Sequence, residues 1–299
     1  MADRPLKGTI AVVAGASRGA GRGIAIELGA AGATVYVTGR TTREHQPDTY
    51  AGIKQVMGRT SMPGTIEDTA DEVTRAGGRG IAVRCDHTRE DEVAALFARV
   101  EREHGRLDVL VNNAWGGHEA FAMENFTAPF WSQPLDQWDA MIERGARSHL
   151  LAARCAAPMF VRQRAGLIVG VSFYDRGRYL KGNVFYDLAK AMMNRIAFAI
   201  AEELRPHGVA SVAVSPGFMR TELVLATMHT DEASYHQVPA LAKSESPRYV
   251  GRAVVALASD RDVLAKSGGV YCAGDLARTY GFTDIDGTQP APFQIGAER

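Results

Sequence analysis

The chain has 299 residues, of which 46% are hydrophobic, so it can bury a large core. Lys+Arg and Asp+Glu both number 34 and the formal net charge is zero, which argues against a nucleic-acid-binding protein. The three cysteines are far apart without C-x-x-C spacing, so we expect no metal site and no disulfide framework. No apolar run reaches the roughly 18 residues of a membrane span, so we expect no membrane span. Together these features favour a cytoplasmic protein.

Apolar runs of strand length alternate with helical patterns along the chain. The predicted strands are 9–15, 33–39, 80–86, 107–113, 166–172, 209–215 and 268–274. Most are continuous β-branched runs, which are typical of strands buried on both faces of a parallel sheet. The predicted helices are 19–31, 66–76, 89–104, 136–164, 184–205 and 247–258. The alternation predicts an α/β fold, a doubly wound parallel sheet with helices on both faces.

Nothing in the composition divides the chain. We find no internal repeat and no Pro/Ser-rich linker, so we expect one domain over 1–299 with a C-terminal extension at 276–299. Two connections, 41–64 and 114–135, are longer than the usual loop of such a fold. The second is rich in aromatic residues: Trp115, Phe121, Phe126, Phe130 and Trp131.

The first predicted strand leads into a glycine-rich turn and then a helix. Gly15, Gly19 and Gly21 form G-x-x-x-G-x-G, with Ser17 and Arg18 inside the turn. Glycines let the backbone approach a pyrophosphate, and the helix N-terminus presents free N–H groups and a positive dipole end. The pattern predicts a dinucleotide site. The same letters match the G-x-S-x-G elbow of hydrolases, but none of the histidines lies where a catalytic triad would need it.

The end of the second predicted strand bears on the choice of nicotinamide cofactor. An acidic residue about 20 positions after the glycines would bind a ribose 2′-hydroxyl, whereas an arginine would bind a 2′-phosphate. Gly39 occupies that position and Arg40 follows it, while Arg18 can reach the same phosphate. Two arginines and no acid favour NADP(H), because charge-assisted contacts to phosphate are strong. The alternative is that both are solvated surface side chains.

Tyr186 and Lys190 lie four residues apart in a predicted helix and therefore share one face. A carbonyl that accepts hydride needs a proton on oxygen, but a free tyrosine has a pKa near 10. A nearby ammonium stabilises the phenolate and lowers that pKa. Taken alone, the two residues are typical of an ordinary helix surface. Together with the glycine turn, they indicate proton transfer at a carbonyl or alcohol.

Five segments occur in the order found in the short-chain dehydrogenase/reductases, which the chain resembles over about residues 6–275: "GASRGAG", "NNA", Ser172, "YDLAK" and "SPGFMRTE". The resemblance implies a Rossmann fold and an NADP(H)-dependent oxidoreductase that acts on a small-molecule carbonyl or alcohol substrate, with reduction as the expected direction. It also implies a homodimer or homotetramer that pairs through the two long helices, 136–164 and 184–205.

The resemblance assigns roles to individual residues. Tyr186 would donate or accept the proton. Lys190 would lower the pKa of Tyr186 and bind the nicotinamide ribose. Ser172 would bond the substrate carbonyl oxygen, and Asp86 would approach the adenine. The remaining cofactor contacts fall at the end of the fourth strand and in the turn after the sixth, at Asn112, Asn113, Ala114, Pro216, Gly217, Phe218 and Thr221.

Two positions depart from the family pattern around the middle helix. Gly145 stands seven residues after Trp138, where the family usually has an asparagine that relays protons through water to the lysine. We hypothesise that a backbone carbonyl freed near Gly145 holds that water instead. Trp115 stands where the family has a glycine, so we expect an altered groove mouth.

The spacing of the catalytic serine also differs. Ser172 lies 14 residues before Tyr186, where 13 is usual, and Phe173 occupies the usual position. We favour a one-residue loop insertion that restores Ser172, with Tyr174 or Tyr179 as alternatives.

Two questions stay open from the sequence. The aromatic segment 114–135 either forms an apolar wall that favours a bulky apolar carbonyl substrate, or serves packing or a subunit contact. The alternative function is a cofactor-binding protein of this fold without turnover, acting as a sensor or scaffold. Gly145 and Phe173 are the residues that favour this alternative.

Overall fold

The computed structural model describes residues 4–47, 62–119, 128–174, 177–179 and 182–293. Within them lie β1 (Ile10–Ala14), β2 (Thr34–Gly39), β3 (Arg79–Arg84), β4 (Val109–Asn112), β5 (Gly166–Val171), β6 (Val209–Ser215) and β7 (Val270–Cys272). These strands form one parallel sheet in the order β3-β2-β1-β4-β5-β6-β7. The predicted doubly wound sheet is confirmed.

The helices alternate with the strands. They are α1 (Gly19–Ala30), α2 (Ile66–Ala76), α3 (Glu90–His104), α4 (136–163), α5 (Val184–Leu204), α6 (Glu222–Thr227), α7 (Pro247–Ser259) and α8 (Ala273–Tyr280). The long α4 has three consecutive parts, which are α-helical Asp136–Trp138, π-helical Asp139–Ala146 and α-helical Arg147–Gln163. No helix in the described ranges is long and apolar enough to cross a bilayer.

The last predicted strand is partly wrong. It was expected over 268–274, but the strand ends at Cys272 and α8 begins at Ala273. Ala273, Leu276 and Ala277 are buried in the core at helical spacing, which a strand would not allow. Gly274 lies against the returning C-terminal segment, where a Cβ would be 2.7 Å from the Pro290 carbonyl oxygen. The helix is therefore set by contacts with a distant segment.

The sheet is covered on both faces. Alternate residues of β1 belong to different clusters: Val13 packs with residues of α1, α7 and α8, whereas Val12 packs with residues of α3 and α4. This two-sided burial explains the continuous apolar runs of the sequence. Because β1 lies between β2 and β4, the chain order reverses there. Open α/β sheets bind ligands in the crevice at that switch point, beyond the carboxyl ends of the strands.

Candidate active site

A cavity of about 410 Å³ opens at this edge of the sheet. It runs from the turn after β1 to the start of α5, and most of the residues predicted from the sequence share its wall. Those wall residues are Gly15, Ser17, Arg18, Gly19, Arg40, Asp86, Asn113, Ala114, Ser172, Tyr186, Lys190, Pro216, Gly217, Phe218 and Thr221. In the described part of the chain, residues that are far apart in sequence, such as Gly15 and Thr221, therefore face one space.

Two predicted contact residues lie behind the wall. The buried amide of Asn112 donates to the His149 backbone carbonyl oxygen at 3.1 Å. At Gly21 a Cβ would be 2.3 Å from the Gly15 carbonyl oxygen and 2.5 Å from the Asn113 side chain. Both residues support the cavity from behind, and neither lines it.

The phosphate end is built around the N-terminus of α1. Gly15 has φ +71° and a Cβ there would be 2.8 Å from the Ala114 Cα, so the turn needs glycine for conformation and for space. The Glu222 carboxylate accepts from the Gly19 N–H at 2.9 Å and pairs with Arg22 at 2.8 Å. A negatively charged oxygen thus already occupies the helix N-terminus, which is the environment that a diphosphate needs.

The two predicted phosphate-binding arginines are held differently. Arg18 donates to the Pro63 carbonyl at 2.8 Å, to the Gly64 carbonyl at 3.2 Å and to the Thr41 hydroxyl at 3.2 Å. Arg40 is ion-paired with Glu119 and lies 3.9 Å from Asp86.

Glu119 is the buried centre of a small charge network. Its side chain is 2% exposed and also pairs with Arg144 at 2.7 Å. A cofactor phosphate at Arg40 would therefore meet an arginine that already has a carboxylate partner. Sequence reasoning missed Glu119, which lies in a long connection without a recognisable pattern. It also missed Glu222, although this acid ends the quoted "SPGFMRTE".

Asp86, which follows β3, is ionised in the wall of the cavity. Burial opposes its ionisation, but the Thr88 N–H and hydroxyl, at 3.0 and 2.8 Å, and the charge of Arg40 outweigh that effect. The pKa of Asp86 consequently lies below its ordinary value. The carboxylate is thus available as an acceptor.

Tyr186 and Lys190 lie one turn apart on α5, as predicted. Asn183 caps the helix by accepting from the Tyr186 N–H at 2.8 Å, which places Tyr186 in the first turn at the cavity. Burial raises the pKa of Tyr186 to about 12 and lowers the pKa of Lys190 to about 7. The expected lowering of the tyrosine pKa by Lys190 is not seen in the chain alone, because loss of solvation of the phenolate dominates.

Ser172 faces α5 more than the cavity centre. Its hydroxyl donates to the Lys190 backbone carbonyl at 3.0 Å, and the residue is 4% exposed. The Phe173 ring lies 6.2 Å from the Tyr186 ring and 6.0 Å from Phe293. The single hydroxyl proton of Ser172 is directed at the Lys190 backbone carbonyl and would have to turn toward a substrate carbonyl oxygen, so the role of Ser172 there stays a prediction. Of the two alternatives, Tyr174 donates its N–H to Ser215 and Tyr179 is 51% exposed.

Gly145 lies in the π-helical part of α4. Its carbonyl oxygen accepts from the Ser148 hydroxyl at 2.7 Å. The carbonyl of Gly145 itself therefore already has one hydrogen-bond partner, and the hypothesis that a carbonyl near Gly145 holds a relay water stays a prediction. What faces Gly145 is the ring of Trp115.

Of the Phe and Trp rings in segment 114–135, Trp115 is the one in the described ranges that lines the cavity. Phe130 and Trp131 are 61% and 77% exposed, and Phe121 and Phe126 lie outside the described residues. Apolar rings next to Tyr186 come from Phe173 and, behind it, from Phe293 near the C-terminus.

Comparison with known proteins agrees with this arrangement. The family model described as enoyl-(acyl carrier protein) reductase matches residues 15–267. Dehydrogenase/reductase SDR family member 1 of Mus musculus is 41% identical over 289 residues, which cover 95% of this chain and 85% of that protein.

Two solved structures share the fold. A short-chain dehydrogenase from Mycobacterium thermoresistibile is 26% identical with a TM-score of 0.76, covering 96% of this chain and 92% of that one. A metagenomic short-chain oxidoreductase in complex with NADP is 27% identical with a TM-score of 0.63, covering 86% and 93%. The chain belongs to the short-chain dehydrogenase/reductase family of oxidoreductases.

Proposed function

We propose that this protein is an NADP(H)-dependent oxidoreductase that reduces a small-molecule carbonyl to an alcohol. The observation that carries the proposal is that one cavity joins an anion-binding helix N-terminus to a tyrosine and a lysine on one face of α5. Anion binding fits the cofactor diphosphate, and the tyrosine fits the proton that a reduced carbonyl requires.

The residues of the cavity fit the cofactor along its length. The turn from Gly15 to Gly19 would hold the diphosphate, and Arg40 with Arg18 would hold a 2′-phosphate. Asp86 would contact the adenosine, while Pro216 to Thr221 would bracket the nicotinamide. A bound reduced nicotinamide supplies the hydride. The structural neighbour that is in complex with NADP supports the choice of cofactor.

The protein's own residues handle the proton. Tyr186 donates its phenolic proton to the substrate oxygen, and in the reverse reaction it removes the hydroxyl proton. The positive charge of Lys190 favours the phenolate that remains, and Ser172 would donate a hydrogen bond to the substrate carbonyl oxygen after its hydroxyl turns away from the Lys190 carbonyl. Phe173, which lines the cavity and packs against Phe293, makes this end of the cavity apolar, which suits a carbonyl with apolar substituents.

The second candidate is a cofactor-binding protein of this fold without turnover. It is favoured by the hydrogen bond that occupies the Ser172 hydroxyl and by Phe173 at the position usual for serine. This candidate predicts NADPH binding without substrate-dependent oxidation.

The proposal is tested by NADPH and NADH consumption over a panel of ketones, aldehydes and quinones. We expect oxidation of NADPH that depends on the carbonyl and exceeds that of NADH. NADPH binding without consumption on any compound would favour the second candidate.

We further propose a single domain that assembles as a homodimer or homotetramer in the cytoplasm. Exposed apolar side chains on the two long helices, Leu150 on α4 and Leu188, Met192 and Phe198 on α5, support pairing through these helices. All three cysteines, which lie in described parts of the chain, are free thiols, as is usual in a reducing compartment. Light scattering and cell fractionation test both points.

Removing the charge of Glu222 should tighten cofactor binding. The carboxylate occupies the Gly19 N–H, so a diphosphate must displace it. We expect Glu222→Gln to lower the Kd for NADPH by about 3- to 10-fold in calorimetric titration, because an amide competes less well for a helix N-terminus. Glu101→Gln, which alters a surface pair with Arg162, is the control. Weaker binding in Glu222→Gln would mean that the carboxylate supports the cofactor.

A further inference from the structure

The two residues that depart from the family pattern around α4 meet in space. A Cβ placed on Gly145 would lie 3.0 Å from two atoms of the Trp115 ring, closer than side chains normally approach. Larger side chains at position 145 would have to push the indole away. Trp115 thus occupies the space in which a side chain at position 145 would extend.

A second glycine lies at the opposite edge of the ring. A Cβ on Gly117 would be 2.4 to 2.6 Å from Cζ2, Cε2 and Nε1 of Trp115, which form the edge that carries the indole nitrogen. The atoms facing Gly145 belong to the other side of the indole, Cε3 and Cζ3. The ring is therefore held in a slot that both glycines keep open.

The face of this ring lies under the catalytic lysine. The Lys190 ammonium is 3.9 Å from the centroid of the Trp115 ring, within the range of a cation–π contact. The ammonium also contacts the Met193 sulfur at 3.7 Å and lies 5.5 Å from the centroid of the Tyr186 ring, and no carboxylate of the described residues pairs with it. Trp115 also meets Tyr186 edge to face, with ring centroids 5.6 Å apart.

We propose that Trp115 is a positioning residue that holds the Lys190 ammonium through its indole face, and that Gly117 and Gly145 are required to seat it. This inference rests on the proposed function in that Lys190 assists Tyr186. It explains both departures from the family pattern by one cause. The indole takes the space that an asparagine side chain at position 145 would need, and the glycine there makes room for it.

Trp115 is the nearer of two aromatic faces at the Lys190 ammonium, at 3.9 Å against 5.5 Å for the Tyr186 ring. The titratable groups that face it are Tyr186 on α5, His118 in the connection after β4 and His149 on α4. Burial, aided by the charges of Arg18 and Lys190, lowers the pKa of His118 to about 4, and burial and Lys190 lower that of His149 to about 3. Both imidazoles are therefore neutral near pH 7, so neither places a second positive charge beside the Lys190 ammonium.

The direct test is NMR of the ligand-free protein with lysine labelled at Cε, where Lys190→Met assigns the resonance. We expect the Lys190 ε-protons to be shifted upfield by the indole and to move to ordinary positions in Trp115→Leu. We also expect the pKa of Lys190 to fall by about one unit in Trp115→Leu, since the cation loses its aromatic face. Trp115→Phe keeps an aromatic face and should fall between the two. A Lys190 resonance without an upfield shift in the unaltered protein would overturn the proposal.

The kinetic readout is the acid limb of alcohol oxidation, for which Tyr186 must be ionised. A less stable Lys190 cation favours the phenolate less, so Trp115→Leu should move this limb to higher pH by up to about one unit. A purely structural role would lower the rate without moving the limb, and that result would contradict the proposal. Because the NMR result does not depend on turnover, failure of the proposed function and failure of this inference can be distinguished.

A double-mutant cycle tests the pairing of positions 115 and 145. We expect Gly145→Asn, which crowds the indole, and Trp115→Gly, which removes it, each to lower kcat/KM by at least about 10-fold. The double variant has the family's usual pair and should recover most of that loss. Each variant is first checked for a cooperative thermal transition. Losses that simply multiply in the double variant would refute the coupling.

Discussion

Tyr186→Phe should lower kcat for carbonyl reduction by about three orders of magnitude while the Kd for NADPH changes by less than about 3-fold. A positioned general acid contributes about 10²- to 10⁴-fold, and phenylalanine keeps the ring while losing the only proton that the side chain can donate. The ring also keeps its edge contact with Trp115, so the site should stay folded. Single-turnover and steady-state kinetics with the best carbonyl of the panel measure the effect.

The matched control is Tyr179→Phe. This tyrosine is 51% exposed and is one of the alternatives considered for Ser172, so its loss of a hydroxyl should leave kcat unchanged. If Tyr186→Phe retained most of its activity, the proton would have to come from another group and the proposed mechanism would be wrong. A parallel loss of NADPH binding would instead indicate damage to the cavity.

Arg40→Ala should raise the Kd for NADPH by about 10- to 100-fold and leave the Kd for NADH nearly unchanged. A hydrogen bond to a charged group is worth about 1.5–3 kcal/mol, and only the 2′-phosphate of NADPH can receive it. Glu119 still has Arg144 at 2.7 Å as a partner in this variant, so the buried carboxylate is not left without a cation. Calorimetric titration with both nucleotides measures the preference.

Two further variants sharpen this prediction. Arg43→Ala removes an exposed arginine that pairs with Asp68 and Asp71 outside the cavity, and should change neither affinity. Glu119→Gln weakens the ion pair that holds Arg40 and should tighten NADPH binding, the opposite sign to Arg40→Ala. If Arg40→Ala weakened NADH and NADPH equally, Arg40 would act through the charge network and would not select the cofactor.

The features that depend on neighbours along the chain were predictable from the sequence. Strands buried on both faces need continuous apolar runs, so β1 to β6 were predictable from residues such as Val12 and Val13. The helix period brought Tyr186 and Lys190 to one face, and the glycine turn after β1 followed from the conformational freedom and small size of glycine. These features need only local geometry. The family resemblance predicted in addition that they share one site.

Features that depend on contacts between distant segments could be seen only in the folded structure. The end of β7 and the start of α8 are set by a C-terminal segment that packs against Gly274. The hydroxyl of Ser172 is directed by the backbone of α5, and Arg40 has Glu119 as a partner from a long connection. The periodicity of one segment predicts its own helix or strand, but it does not predict which residues of another segment will contact it. For the same reason, Trp115 and Gly145 were two separate anomalies in the sequence and became one contact in the fold.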